Sequence, residues 1–284
     1  MRSFESSSLE VIGLADGQLE RAGFWYKWSR RLPIATFLLS TTSIFISNPY
    51  TYIPALLALG VQLCSWGFRD KAGKYHSDGE DGRTHGLSLN ALGSTEERLE
   101  LDKWLSRVNP RPAQQEAEPA APDYFASMSA VGIRRLCDHL QENTFWNMHQ
   151  YQRAAAHYAK ILLIFAGLTA ASIFVAIPLA SGDRSLVLAR VLVAALASGA
   201  AFTQFTEVRS WRSAEAKSER LYARLELLAS LSEQEVREDK LGTVLAIYGD
   251  YRVTTSAAPP VPKWLYDREK SDLNALWARR MTAL

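Results

Sequence analysis

The sequence predicts an all-α membrane protein with two transmembrane helical hairpins, a cytosolic helical insert and C-terminal helices. Three observations predict it: four apolar stretches, their grouping into two close pairs, and the long polar insert between the pairs. The stretches cover residues 32–48, 50–68, 161–180 and 186–205. Each has roughly 17 to 20 residues, which at about 1.5 Å per residue approaches the roughly 30 Å apolar thickness of a bilayer.

Average composition hides this pattern. The chain has 284 residues, of which 48% are hydrophobic and 22% charged, values that would suit a soluble domain. The formal net charge of +2 gives no basic excess, so we expect neither DNA nor RNA as a partner. The two cysteines, Cys64 and Cys137, are too few for a disulfide framework and suit a reducing compartment.

The third stretch is the strongest predicted span because no charge interrupts it. In the fourth, Arg190 lies within about one turn of the start and can extend to the interface. Pro33 and Pro54 fall in the first turns of the first two spans, where a helix tolerates proline, and Pro49 makes the turn between them.

The short segments next to all four spans are basic, which predicts that they are cytosolic. The cations concerned are Lys27, Arg30, Arg31, Arg69, Lys71, Lys74, Arg153, Lys160, Arg209, Arg212 and Lys217. We therefore expect a multi-pass membrane protein with the insert and both termini in the cytosol. The predicted division is an N-terminal segment 1–31, a first hairpin 32–68, an insert 69–157 with a flexible connector at 109–122, a second hairpin 158–206 and a C-terminal region 207–284.

Within the insert, residues 71–93 are rich in Gly, Ser, Asp and His, which predicts a solvated loop. Ser94 and Glu97 form a capping box that predicts a helix as far as Val108. Residues 111–122, rich in Pro, Ala, Gln and Glu, have too little apolar area to fold. A second helix is predicted from near Val131 into the third span.

After the fourth span, we predict a charged helix over 207–230 and another over 235–248, then a break at the prolines of 259–262. A final amphipathic helix carries Trp264, Leu273 and Trp277 beside several basic residues. Two interpretations of this helix remain: it lies on the inner membrane surface, or it packs on the cytosolic helices.

The fourth span is rich in small residues between Ala194 and Ala201, and Ala195 and Gly199 have small-xxx-small spacing. Such a face lets helix backbones approach closely in lipid. Packing within one protomer and contact between protomers of a homo-oligomer both remain open.

The sequence lacks the common catalytic, phosphate-binding and metal-binding motifs. It has no nucleophile elbow, phosphate-binding glycine loop, H-E-x-x-H pair or zinc-spaced cysteine set. We therefore expect no enzyme activity, no catalytic residues, no cofactor and no metal.

Two polar segments resemble a known family. DYFASMSAVGIRRLCDHLQENTFW at 123–146 resembles the stretch that leads into the third span of the SMODS-associating four-transmembrane effector family, with its aromatic pair and Gly-x-Arg-Leu helix. PPVPKWLYDREKSDLNALW at 259–277 is similar to that family's closing Pro-x-Pro-x-Trp-Leu-Tyr and Leu-Asn-x-x-Trp pattern. The order and spacing of the spans agree along nearly the whole chain.

The resemblance implies an effector that disrupts the bacterial inner membrane as part of an antiphage system, in which a nucleotidyltransferase makes a cyclic-oligonucleotide messenger on infection. The implied partners are the lipid bilayer, the messenger and further copies of the chain, with a functional link to the nucleotidyltransferase. The candidates for contact with the anionic messenger are Arg134 and Arg135 on the helix before the third span, with Arg209 and Arg212 after the fourth. Trp146 or Trp211 is the candidate for stacking a base. The arginines have a plainer interpretation as anchors at the lipid headgroups.

Two other classes are carried as alternatives. A constitutive membrane scaffold or channel subunit would have the same topology without a nucleotide ligand. A membrane-tethered enzyme would need a cluster of ionisable groups that the sequence does not indicate.

Overall fold

A computed structural model confirms the all-α class: helices make up most of the part of the chain that it describes, with no strand in that part. The described residues are 4–43, 50, 52–93, 96–108, 119–121, 124–127, 129–179, 184–231 and 233–283.

The described residues contain four long helices and four shorter ones. The helices are α1 (Phe4–Ser43), α2 (Tyr52–Leu92), α3 (Glu96–Arg107), α4 (Ile133–Leu179), α5 (Arg184–Ala229), α6 (Glu233–Asp239), α7 (Leu241–Ala257) and α8 (Lys263–Ala283). Helices α1, α2, α4 and α5 have 40, 41, 47 and 46 residues, about twice the roughly 20 that cross a bilayer. Each therefore contains all or part of one predicted span together with a polar extension.

The chain forms two compact units. The first unit consists of Met1–Gly23, Gly73–Gln152 and Arg212–Leu284, and the second of Phe24–Ala72 and Arg153–Trp211. All four predicted spans belong to the second unit. The first unit gathers most of the N-terminal segment, the insert and the C-terminal region, three parts far apart in sequence.

The core of the first unit is built from α2, α4, α5, α6 and α7. Its buried members include Leu87, Leu136, Leu140, Leu221, Leu225, Val244, Ile247 and Tyr251. Helix α8 packs on the same unit, since Leu273 and Trp277 are buried in a cluster with Phe145. Of the two interpretations of the final helix, the structure supports packing on other helices of the chain.

The predicted loop at 71–93 is wrong, because α2 continues without a break to Leu92. The glycines in this stretch allow α1 to pack closely on α2. Gly79 and Gly86 face α1 so closely that a Cβ on them would come within 2.7 Å of Leu19 Cγ and 2.5 Å of Ile12 Cγ1. Close packing between two helices thus stabilises a sequence whose local preference is against helix.

Several shorter predictions agree with the structure. Helix α3 lies within the helix predicted from the capping box, and α4 begins at Ile133, two residues after the predicted start. The prolines of 259–262 separate α7 from α8. The single helix predicted over 235–248 is wrong: α6 and α7 occupy this stretch, and Lys240 between them is not helical.

Some predictions lie outside the described residues. Most of the connector 109–122, the turn at Pro49 and the Ser94 cap belong to this group, as do nearly all side chains between Ala194 and Ala201.

Large apolar side chains are exposed along the predicted spans of the second unit. They are Ile34, Leu38, Tyr50, Ile53, Leu56, Leu57, Leu59, Leu63, Trp66, Leu163, Ile164, Leu168, Phe174, Phe202 and Phe205. We call these residues the apolar belt.

One helical stretch of the described residues, Ile133–Ala171, is long and apolar enough to cross a membrane. By itself this is a weak indication of membrane association, because the core helix of a soluble protein can have the same length and composition. The four-span topology therefore stays a prediction.

Candidate functional site

A buried carboxylate network in the second unit is the candidate functional site. Glu207 of α5 is 0% exposed, although it carries a formal charge. It accepts hydrogen bonds from the Tyr26 hydroxyl of α1 and from the Arg69 guanidinium of α2. A third bond comes from Trp211 Nε1, one turn further along α5, at 3.1 Å. The carboxylate thus joins three helices through one acceptor group.

A second cation completes this network. Arg30 Nη1 of α1 lies 3.7 Å from Glu207 Oε1. The Arg30 guanidinium also lies over the ring of Tyr158 on α4, 3.9 Å from its centroid. Tyr158 in turn stacks on Trp211, with ring planes 14° apart and centroids 6.0 Å apart. Through these aromatic contacts, α4 becomes the fourth helix of the network.

The electrostatics follow from burial. Burial raises the pKa of Tyr26 far above its usual 10, and the neighbouring Tyr158 raises it further, so the phenol stays a neutral donor. Burial also lowers the pKa of Arg69, although the guanidinium keeps its charge at neutral pH. One carboxylate therefore faces two guanidinium groups, and it is the common partner of both.

The described contacts give this carboxylate a structural role in joining helices. Every described partner of the Glu207 carboxylate is a donor or a cation, and none is a nucleophile or an oriented base. A buried ion pair contributes little net stability against an apolar alternative, yet removal of one partner is costly. The network therefore specifies one arrangement of four helices.

Among the residues predicted to contact a ligand, Arg134 is held by internal contacts. Its guanidinium donates to the carbonyl oxygens of Ala229 and Leu231, at 3.3 and 3.1 Å, where α5 ends. It also pairs with Asp138 one turn along α4, at 3.2 Å. Arg134 thus binds the carbonyl groups left unpaired at a helix C-terminus.

Trp211 is the clearest correction. Its side chain is 0% exposed, bonded to Glu207 and stacked on Tyr158. No face of the indole is open for a nucleotide base in this arrangement. The exposed arginines on either side, Arg209 and Arg212, retain surfaces that an anion can reach.

The predicted residues do not form one cluster. Arg134 and Arg135 lie in the first turn of α4, and Trp146 follows 11 positions after Arg135, which is about 17 Å along a helix. Trp146 is half-buried and packs against Tyr266 of α8, with ring centroids 5.9 Å apart. Within α4, the cations and the indole therefore occupy separate places.

Sequence reasoning missed Glu207, Tyr26 and Arg69. One signal was present, because Glu207 is an acid placed two residues after the fourth apolar stretch, next to a basic flank. An acid among the cations of such a flank has potential partners for an ion pair close by. Its partners, however, lie 181 and 138 positions away in sequence, and only the fold brings them together.

The first unit contains a second buried polar group. Arg83 donates to the Tyr124 hydroxyl and to Glu80, both at 3.2 Å. His139 donates from Nε2 to Asn90 Oδ1 at 2.9 Å, and Phe125 stacks on its ring. These bonds connect segments of one unit and add polar contacts beside its apolar core.

Comparisons with known proteins give no match: no family model, no curated protein and no solved structure is similar to this chain.

Proposed function

We propose that this chain is a signal-gated effector of the bacterial inner membrane. The second unit crosses the bilayer in four spans, cytosolic helices of the chain receive a cyclic-oligonucleotide messenger, and activation permeabilises the membrane. The observation that carries the membrane part of the proposal is the apolar belt.

The belt favours lipid over water as the surroundings of the second unit. Leu163 and Phe174 are 73% and 76% exposed, in stretches that have no charged residue. Burial of one large aliphatic or aromatic side chain is worth about 1.5 to 3 kcal/mol, so a belt of this size in water would be a severe aggregation liability. In a bilayer the same side chains contribute favourably to insertion.

The composition of the first unit supports a single-sided arrangement. Residues from the N-terminus, the insert and the C-terminus fold into one unit. Segments that fold together lie on the same side of any membrane the chain crosses. The chain must therefore cross the membrane an even number of times between one of these segments and the next. The basic flanks favour the cytosolic side.

The Glu207 network supports gating. It joins α1, α2, α4 and α5 next to the predicted spans and fixes one arrangement of them. A messenger that binds another arrangement more tightly shifts the population by its differential affinity. To move the resting state from 99% to 1% requires a preference of about 10⁴-fold.

The remaining candidates for messenger contact are Arg135, Trp146, Arg209 and Arg212. Assembly of several copies is part of the proposal, since one protomer has no charged pathway among its predicted spans. The link to a nucleotidyltransferase follows from the family resemblance.

The test is a dye-release assay. The purified full chain is reconstituted into dye-loaded liposomes, and synthetic cyclic di- and trinucleotides are added one at a time. Release with one of the nucleotides and not without it is the expected result. A chain that an alkaline wash removes from the liposomes would contradict the membrane part, and absence of release with every nucleotide would contradict the effector part.

One observation favours the constitutive scaffold or channel as the second candidate. Arg134 and Trp211, two of the assigned ligand contacts, are engaged by the protein itself. Ion conductance or dye release in the absence of any nucleotide would support this alternative.

A further inference from the structure

The α1–α2 part of the second unit carries cations that lack acidic partners. Lys27 and Arg31 on α1 and Lys71 on α2 are all exposed. Asp70 is the only acid between positions 24 and 72, and it pairs with none of them in the part of the chain that the structure describes. These positive charges are therefore available to an anion from outside the protein.

Two of the cations lie on indole faces. Lys71 Nζ is 3.9 Å from the ring centroid of Trp25, and Arg31 Cζ is 5.6 Å from that of Trp28. Phe68 packs against Trp25 with centroids 5.1 Å apart, which helps to hold the indole in place. Cation–π contacts position a charge while its other donors stay open to a further partner.

The exposed face of α1 passes from this basic region into the apolar belt. Its members recur at helical spacing: Phe24, Lys27, Trp28, Arg31, Ile34 and Leu38. At about 100° per residue, the first four lie within a 100° arc, and Leu38 continues the same stripe. Aromatic and basic residues beside an aliphatic surface are typical of the membrane interface.

We propose that this aromatic–basic surface, formed by Phe24, Trp25, Lys27, Trp28, Arg31 and Lys71, binds the phosphate of anionic phospholipids. The inference rests on the membrane part of the proposed function and adds a lipid class to it. Three cations against one acid favour a headgroup with net negative charge over a zwitterionic one. The indoles and the adjacent belt favour a phosphate that is attached to acyl chains.

The experiment measures which lipid stays with the protein. The full chain is incorporated into bilayers of equal parts phosphatidylglycerol and phosphatidylcholine, extracted with limiting detergent, and its retained lipids are quantified by mass spectrometry. We expect enrichment of phosphatidylglycerol. The double variant Arg31→Ala with Lys71→Ala should lose about fivefold of this enrichment per cation removed, which corresponds to about 1 kcal/mol each.

Two further variants make the result specific. Lys217→Ala with Arg220→Ala removes two exposed cations from α5 in the first unit, and it should retain the enrichment. Arg31→Lys with Lys71→Arg preserves both charges and should also retain it. Equal loss in the α1–α2 and α5 alanine variants, or loss in the charge-preserving variant, would overturn the proposed surface.

Two outcomes separate this inference from the proposed function. A chain that fails to enter the bilayer contradicts the membrane proposal itself. A chain that enters the bilayer but retains both lipids equally overturns only the headgroup site. Displacement of phosphatidylglycerol by inorganic phosphate would also overturn it, since the site would then bind free phosphate.

Discussion

Trp104 fills the space that a side chain at Gly82 would need. A Cβ on Gly82 would come within 2.3 Å of Trp104 Cζ2 and 2.9 Å of the Cβ of Ala15. The indole is buried, and its Nε1 donates to the carbonyl oxygen of Asp78 at 2.7 Å. Helix α2 thus needs glycine at this position because α1 and α3 both pack on it.

The first prediction follows from this contact. Gly82→Ala should destabilise the protein by about 1 to 3 kcal/mol, the usual cost of an added group in a packed core. Gly73→Ala in the same helix is the matched control: a Cβ there meets nothing within 4 Å. It should stabilise by about 0.5 to 1 kcal/mol, because alanine favours helix. Thermal unfolding of the full chain in detergent, followed by circular dichroism, measures both, and equal effects would contradict the packing argument.

The second prediction concerns Glu207. Glu207→Gln removes the charge that two arginines share, and we expect a loss of about 3 kcal/mol, near the lower limit for breaking a buried pair. If the network holds the resting state, the variant should also release dye from liposomes without any nucleotide. Glu219→Gln, the same change at an exposed position of α5, is the control. Identical leakage from the two variants would exclude the gating role.

A third prediction separates the partners of Glu207. Tyr26→Phe removes one neutral donor and keeps both guanidinium groups paired with the carboxylate. Its cost should be about 1 kcal/mol, well below that of Glu207→Gln. Denaturant titration of the two variants provides the comparison. A larger effect of Tyr26→Phe would mean that the phenol, rather than the carboxylate, is the centre of the network.

The fourth prediction tests Arg134. Arg134→Gln should lower stability by about 1.5 to 3 kcal/mol, because a charged donor to two helix-end carbonyls is lost. Arg212→Glu, at an exposed site, should change stability by less than about 0.5 kcal/mol. Arg212 is therefore the cleaner position for a charge reversal that tests messenger binding. A neutral effect of Arg134→Gln on the unfolding temperature would remove its structural role.

The fifth prediction is a pH dependence. Burial, and after it the charge of Arg135, lowers the pKa of His139 to about 3. In the unfolded chain the imidazole has a pKa of about 6.5. Between these two pKa values, the imidazole is therefore protonated in the unfolded state and neutral in the folded state. The free energy of unfolding should therefore fall by about 1.4 kcal/mol per pH unit as the pH drops from about 6.5 toward 3.

His139→Gln should reduce that slope between pH 6.5 and pH 5. Nδ1 of His139 has no acceptor among the described residues, so protonation would leave a buried charge unpaired. His76 is buried too, and burial lowers its pKa in the same sense, so part of the slope should remain. Unfolding curves across this range, with the same slope before and after the substitution, would contradict the assignment to His139.

Local patterns predicted most helix positions. The helix of the capping box, the start of α4 near Val131 and the break at the prolines of 259–262 depend on short-range preferences that a sequence displays. The loop predicted at 71–93 failed for the opposite reason. Glycine disfavours a helix locally. Gly79, Gly82 and Gly86 are nevertheless accommodated in α2, because α1 packs so closely on them that larger residues would not fit.

The candidate site was less predictable. Arg134, Arg135, Arg209 and Arg212 were predicted as anion contacts from their positive charge, a criterion that does not distinguish an anion site from a helix cap. Trp211 was one of two indoles predicted to stack on a base, and it is fully buried. The partner of a buried polar group depends on which distant segments meet it, and that information is not local.

By itself, the sequence determined the helical class and the separation of apolar stretches from charged ones, because hydrophobic pattern and proline positions act over a few residues. Tertiary structure alone decided that residues from three distant segments form one unit. It also decided that Glu207 is shared by Tyr26, Arg30 and Arg69. Side-chain pairing across more than a hundred positions depends on packing in three dimensions, which short-range preferences do not encode.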